Sequence, residues 1–452
     1  MANRRRPRAA DSARCQILPC EHKANKRRRA AADAGTSTAW SSMHADLVGC
    51  IAERVLAGDL LDYVRFRAAC PHWRSCTVDP RGRGVADPRF HPRRWMMLPE
   101  GHGLHPGHRS LGGRVRFFNR DTGAFVGARI PELKDHCILD SPDGLLLLQR
   151  DADTAVRLVH PFTGDIADLP PLKSLLPQLY QLTPEQPRLD GDHNNLPYFR
   201  RVAAAISVAG RTGTVTVILA LEHLCRFAHA STADGSWTLT SWSANRVSRA
   251  LPFHGSLYMV YCDGSEEASI LRLDPPLLEE GGGSPSSSSL LPPQAITTFP
   301  AKLMILPQLV ECDSEILVVG STDISCSHLV VIRLAELLLG RPAEPLKSIG
   351  DHCLFFGMRS LAVSSKGLPS IAGNSIILCD SIKDRLMQYN LSDDTLLPAC
   401  DGDITRTPPP NSHSIVHHLV TCCYRYFWNK GLIYCARTDP TWRTKHKQRF
   451  GV

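Results

Sequence analysis

A repeat constrains the fold of this chain more than any other feature. Phe117-Phe118-Asn119-Arg120-Asp121-Thr122-Gly123 runs on to Ile130-Pro131-Glu132-Leu133. Leu158-Val159-His160-Pro161-Phe162-Thr163-Gly164 runs on to Leu169-Pro170-Pro171-Leu172. Each copy reads as a strand, a Thr-Gly turn, a second strand and an apolar-Pro exit. The two Thr-Gly pairs stand 41 residues apart, the spacing of one four-stranded propeller blade. Fainter copies follow at Leu257–Asp274 and at Met387–Pro398. The region after residue 90 is therefore expected to be a β-propeller of kelch-like blades, with a β-sandwich as the alternative. At roughly 40–45 residues per blade, about 340 residues give seven or eight blades, fewer if insertions intervene. Two such insertions, 174–197 and 274–294, are rich in Pro, Gln and Leu or in Gly and Ser and read as surface loops.

Charge separates the start of the chain from the rest. Net charge is +8, and residues 1–40 carry ten Lys or Arg against three acids, which leaves the remainder close to neutral. Residues 1–38 lack apolar periodicity and read as a disordered basic arm. Its clusters Arg4-Arg5-Arg6 and Lys26-Arg27-Arg28-Arg29 have the spacing of a bipartite nuclear-import signal. A nucleic-acid-binding surface is not indicated by the near-neutral remainder, and the arm lacks the interleaved aromatics of a stacking platform. Residues 433–452 form a second, shorter basic tail.

The 16 cysteines are scattered without a CxxC pair, as expected of reduced thiols in an intracellular chain. Cys15, Cys20 and His22, and again Cys70, His72 and Cys76, offer three metal donors at irregular spacing, whereas a structural zinc site takes four. Neither a metal nor another cofactor is expected. The longest apolar stretch, Val215–Leu221, is too short to cross a bilayer. No GxSxG, HExxH, Walker A or dinucleotide motif occurs, so the chain does not read as an enzyme. Asp140-Ser141-Pro142-Asp143-Gly144 lacks calcium-loop spacing and reads as a tight turn before the Leu145–Leu148 strand.

Residues 39–80 are helical in pattern. Leu47, Ile51 and Val55 recur at i, i+4 and i+8, flanked by Val48 and Leu56. Asp46 stands at the start of that helix, and Gly58-Asp59 breaks it before a second helix carrying Leu61, Val64 and Ala68. Pro71 ends the second helix. Helices this short cannot bury two apolar faces among themselves and need a partner.

This block resembles an F-box. Asp46, Leu47, Ile51, Leu56, Tyr63, Val64, Arg67, Cys70, Trp73 and Arg74 fit its pattern, while the usual Leu-Pro pair is Met43-His44. The rest resembles the β-propeller-like F-box-associated domain of a large plant family (DUF295). The phrases that carry this likeness are Arg93–Pro99, His160–Gly164, Ser364–Ser370 and Phe427–Gly431. The resemblance implies a small N-terminal α-helical F-box followed by a target-binding domain over 90–432. It also implies a non-catalytic role as receptor subunit of a cullin-based ubiquitin ligase, in the nucleus, the cytoplasm or both. Met43, His44, Asp46, Leu47, Ile51, Val55, Leu56, Leu61 and Val64 would then contact a Skp-type adaptor, and through it a cullin. The protein substrate is not readable. The alternative is a nuclear scaffold uncoupled from the ligase, since Met43-His44 departs from the pattern.

Overall fold

The computed structural model describes residues 40–98, 107, 111–182, 199, 201–276, 289–357, 359–368, 370–380, 385–399 and 415–424. Both basic clusters of the arm, the Cys15–His22 donors, the Phe427–Gly431 phrase and the 433–452 tail lie outside these residues.

Six sheets form a six-bladed β-propeller. Blade 1 holds β1 (Trp95–Leu98), β2 (Arg114–Asn119) and β3 (Phe125–Arg129). Blade 2 holds β4 (His136–Asp140), β5 (Leu146–Arg150), β6 (Val156–Val159) and β7 (Ile166–Leu169). Blade 3 holds β8 (Val202–Val208), β9 (Val215–Leu221), β10 (Arg226–Ser231) and β11 (Thr238–Leu239). Blade 4 holds β12 (Leu251–Phe253), β13 (Ser256–Tyr261), β14 (Glu267–Leu273) and β15 (Gln294–Pro300). Blade 5 holds β16 (Ile305–Cys312), β17 (Glu315–Ser321) and β18 (Leu329–Arg333). Blade 6 has β19 (His352–Phe356), β20 (Leu361–Ser364), β21 (Ser375–Asp380), β22 (Arg385–Asn390) and β23 (Leu396–Pro398), in the order β20-β19-β21-β22-β23. Every pairing is antiparallel except β19 with β21.

Six blades replace the expected seven or eight because the chain spends residues between sheets. Before β8 it makes a short helical plug, in which Leu172, Leu175 and Leu179 are buried against Trp237. The 174–197 stretch is thus in part a core element and not simply a surface loop. Between blades 5 and 6 another short helix, Leu334–Leu338, buries Leu334 and Leu337. Strands facing a blade on each side read as unbroken apolar runs. Leu145 to Leu148 are all fully buried, as is nearly all of β9.

The repeat is a repeated turn. Asn119 accepts the backbone N–H groups of Asp121 and Thr122 through Oδ1, both at 3.0 Å, and Gly123 takes φ +72°. His160 does the same work in blade 2, its Nδ1 accepting from Phe162 at 3.2 Å and Thr163 at 3.0 Å, with Gly164 at φ +77°. In blade 6 Asn390 accepts from Ser392 at 2.9 Å. A side-chain acceptor that closes its own turn is what Asn supplies cheaply. Imidazole can substitute only while Nδ1 is unprotonated. Nε2 then carries the proton and donates to the Phe90 carbonyl at 3.0 Å.

Burial holds the His160 pKa down at about 4, against an ordinary 6.5. The unfolded chain therefore takes up a proton before the folded one does as pH falls. Stability from this group is complete above pH 6.5 and declines toward pH 4, with a limiting slope of about 1.4 kcal/mol per pH unit. Urea unfolding across that window should show the slope, and His160→Asn, the residue of the first repeat, should remove it.

The ring closes between blades 1 and 6. Ser364 donates its N–H to the Arg120 carbonyl at 2.8 Å. Gly123 and Gly367 meet so closely that a Cβ on either would lie 2.4 Å from the Cα of the other. A C-terminal helix, Ile415–Tyr424, packs on this seam, where the sequence led us to expect only short β segments. Its Cys422 thiol donates to the Met97 carbonyl and its Cys423 thiol to the Phe355 carbonyl, both at 3.7 Å. Arg359 N–H donates to the Cys423 carbonyl at 3.0 Å.

Candidate interaction site

Three helices precede the ring: α1 (Ala45–Gly58), α2 (Leu60–Ala69) and α3 (Pro71–Ser75). One carboxylate joins them to it. Asp59 caps α2, its Oδ1 accepting from Leu61 N–H at 2.8 Å and Asp62 N–H at 3.1 Å. Its Oδ2 accepts from Trp95 Nε1 at 2.6 Å and Asn119 Nδ2 at 3.0 Å in blade 1. Around this anchor Ala52, Leu60, Leu61 and Tyr63 share one core cluster with Phe90, Trp95 and Phe117. Asp59→Ala removes the cap and leaves the buried indole N–H of Trp95 without its acceptor. The expected cost is about 2–3 kcal/mol, read as a lower urea midpoint together with faster proteolysis between the helices and blade 1.

The helical unit also ties its own leading segment. Trp73 Nε1 donates to the Trp40 carbonyl at 3.1 Å, and His72 Nε2 donates to the Met43 carbonyl at 2.8 Å. Phe66 stacks on Trp73 with centroids 4.6 Å apart. His44, where an F-box has proline, adopts φ −57°, the angle a proline ring would impose.

Helix α1 has two apolar faces. Val48 and Ala52 are buried, with Val55 and Leu56 packed behind them on the propeller. Leu47 and Ile51, one turn apart on another face, are 58% and 38% exposed, and nearby Trp40 is 63% exposed. Of the residues singled out from the sequence, His44, Asp46, Leu47 and Ile51 are exposed and Met43 is half-buried. Val55, Leu56 and Val64 are partly buried against the core, and Leu61 is 3% exposed and occupied internally.

A second feature escaped the sequence reading because distant loops build it. Where α1 meets α2, the helices overhang one face of the ring and roof a cavity of about 900 Å³. Its floor comes from turns of different blades: Arg120-Asp121, Asp143, His254 and Glu311–Ser314. Asp143, His254, Asp313 and Ser314 all have positive φ, the mark of tight hairpin turns aimed at this face. Burial works to raise the Asp143 carboxyl, but the His91 hydrogen bond and the Arg93 charge outweigh it and hold it below the usual range. Burial, helped by neighbouring carboxylates, pushes the Cys312 thiol up to about 12, so it is no nucleophile at neutral pH.

Elsewhere in the ring, Asp140 is fully buried and bonded at 2.5 Å to Arg359, which lies ahead of β20. The Ala204 N–H of blade 3 donates to the same carboxylate at 2.7 Å. One acid thus joins blades 2, 3 and 6.

Residues 117–398, well over half of the chain, match the KIB1-4 beta-propeller family model. The chain belongs to the KIB1-4 beta-propeller family. The matched span takes in most of the KIB1-4 propeller and leaves α1–α3 outside it. No curated protein matches the chain. Among solved structures, the Myceliophteria thermophila Cps50 (Swd1) beta-propeller domain is similar at 10% identity and TM-score 0.26, over 64% of this chain and 78% of that one. A Mycobacterium tuberculosis puromycin-hydrolyzing peptidase is similar at 10% identity and TM-score 0.26, over 74% of this chain and 56% of that one. Among the described residues of the KIB1-4 chain, no His, Cys, Asp and Glu side chains are grouped to hold a metal ion, and no helix is long and apolar enough to cross a membrane.

Proposed function

We propose that this protein is the substrate-recognition subunit of a Skp–cullin–F-box type ubiquitin ligase, with α1–α3 as its F-box and the propeller as its target receptor. The observation that carries the reading is the uncovered apolar face of α1. Leu47 and Ile51 fit the F-box pattern, and both are exposed while Val48 and Ala52 on the adjoining face of the same helix are buried. Exposed apolar pairs on a rigid helix are what helix-in-groove partners bury. The chemistry is proximity: a target held on the propeller meets the charged conjugating enzyme at raised effective concentration. No step needs a catalytic group from this chain. Calorimetry of the full chain with a purified plant Skp-type adaptor tests it, and absence of binding by a folded protein would sink it.

His44 favours a second reading, a nuclear scaffold uncoupled from the ligase, because a flexible residue stands where the pattern has proline. Adaptor binding separates the two. Under the scaffold reading the basic clusters of the arm would still direct import.

A further inference from the structure

The cavity beneath the helical roof does not end under α1. A groove of about 770 Å³ between blades 5 and 6 shares five lining residues with it, among them Arg94, Asp121, Asp313 and His352. Sharing those residues, the two make one trough from beneath α1 to the turns of blades 5 and 6. Two joined spaces of that size suit an extended chain better than a compact small molecule.

The charges along it are unequally committed. Arg93 pairs with Asp143 at 3.5 Å, Arg94 with Asp121 at 2.8 Å and Arg120 with Glu311 at 3.7 Å. Arg333 pairs with Glu315 and Lys366 with Asp351, both at 3.1 Å. The remaining cation, Arg89, is held by Asp87 at 2.8 Å. Every lysine and arginine of the trough is thus already neutralised by a carboxylate. Three acids are not balanced in this way, and one of them, Asp59, is already committed to the Trp95 and Asn119 donors described above. Among the described residues, Glu53, exposed on the roof, forms no ion pair with lysine or arginine, and Asp313, 71% exposed on the floor, is paired only with His352, at 3.3 Å. An anionic ligand would have to break existing pairs, whereas a cationic one adds to the unbalanced acids.

We infer that the trough binds an extended, lysine- or arginine-bearing segment of the target polypeptide, gripped between Glu53 on α1 and Asp313 on blade 5. This rests on the reading of the propeller as a target receptor. It also places the bound segment directly under the unit that would dock the adaptor, so that target and ligase are held on one rigid mount.

Short Gly/Ser peptides bearing lysines, glutamates or neither, labelled for fluorescence anisotropy, test the assignment on the full chain. The lysine peptide should bind, and binding should weaken as salt rises. Glu53→Gln/Asp313→Asn should lower its affinity by about tenfold, two exposed charge pairs of modest strength each. A fold check by urea unfolding accompanies the double variant. Equal or tighter binding of the glutamate peptide, or lysine-peptide affinity unchanged in the double variant, overturns the assignment. Binding that emerges only after residues 1–38 are removed also overturns it, since the chain's own basic arm would then be the occupant. Adaptor calorimetry on the same samples is unaffected by these outcomes, so the ligase reading stands or falls separately.

Discussion

Replacing Leu47 and Ile51 together by aspartate is expected to abolish capture of a Skp-type adaptor and to leave the propeller's unfolding midpoint where it was. The reasoning starts from exposure. Neither side chain belongs to the core, Leu47 being 58% and Ile51 38% exposed, so their loss opens no core cavity and a carboxylate at either position keeps access to water. In the complex the same positions would be desolvated at the centre of a helical interface. An apolar anchor there is worth about 2 kcal/mol, and an unpaired carboxylate in its place costs more. Two such changes lower affinity by about a thousandfold or beyond, past the range of a pull-down. Val48→Asp is the instructive contrast. Val48 is fully buried, so that variant should weaken adaptor binding only by unfolding the helical unit, with loss of helical circular dichroism. Retention of adaptor binding by the Leu47/Ile51 variant would remove the basis for assigning this face to the adaptor.

The second large effect is on stability. Arg359→Met should lower it by about 3–5 kcal/mol, the usual result of leaving a buried charge without its partner. Asp140 is fully buried, and burial pushes its carboxyl above the ordinary range against the pull of Arg359 and of the Ala204 and Ser141 N–H groups. Without the guanidinium, Asp140 must either stay charged in a dry site or take up a proton. Asp140→Asn in the Arg359→Met background removes the charge but keeps an oxygen for the Ala204 N–H. It should recover a substantial part of the loss, measured as the urea midpoint. A double variant no more stable than Arg359→Met alone would mean that the pair contributes by packing, not by charge.

How much of this was legible in the sequence depended on how local the physics was. The Asn119 and His160 turns stood out because one side chain and its next three neighbours make them, and Asp59 was visible as the break between two helices. The number of blades was not legible, since residues spent on the Leu172–Leu182 plug and the Leu334–Leu338 helix look no different from strand-forming ones when only length is counted. The C-terminal helix was missed although Ile415, Val416, Leu419 and Val420 have helical spacing, because the surrounding β grammar set the expectation. Asp140 was seen as part of a turn, but its partner lies 219 residues away, and nothing in either segment advertises the other. The trough is least legible of all, being assembled from turns that meet only once the ring is closed. On α1 the apolar stripe was plain in the sequence. Its division into a docked face and an uncovered one became visible only with the propeller in place.

The seam between blades 1 and 6 carries a consequence for how the protein is made. Arg120 and Gly123 leave the ribosome long before Ser364, Gly367 and the helix that packs over them. At about 5–20 residues per second, the roughly 300 residues from blade 1 to the end of that helix take on the order of 15–60 s to synthesise. Throughout that interval the apolar surface of blade 1 that will pack against blade 6 has no neighbour, and such transiently exposed surface invites association with the wrong chain. Nascent chains of this protein therefore need chaperone cover until residue 424 has emerged. A message truncated upstream of that point yields not a smaller propeller but an unclosed ring, fit for degradation.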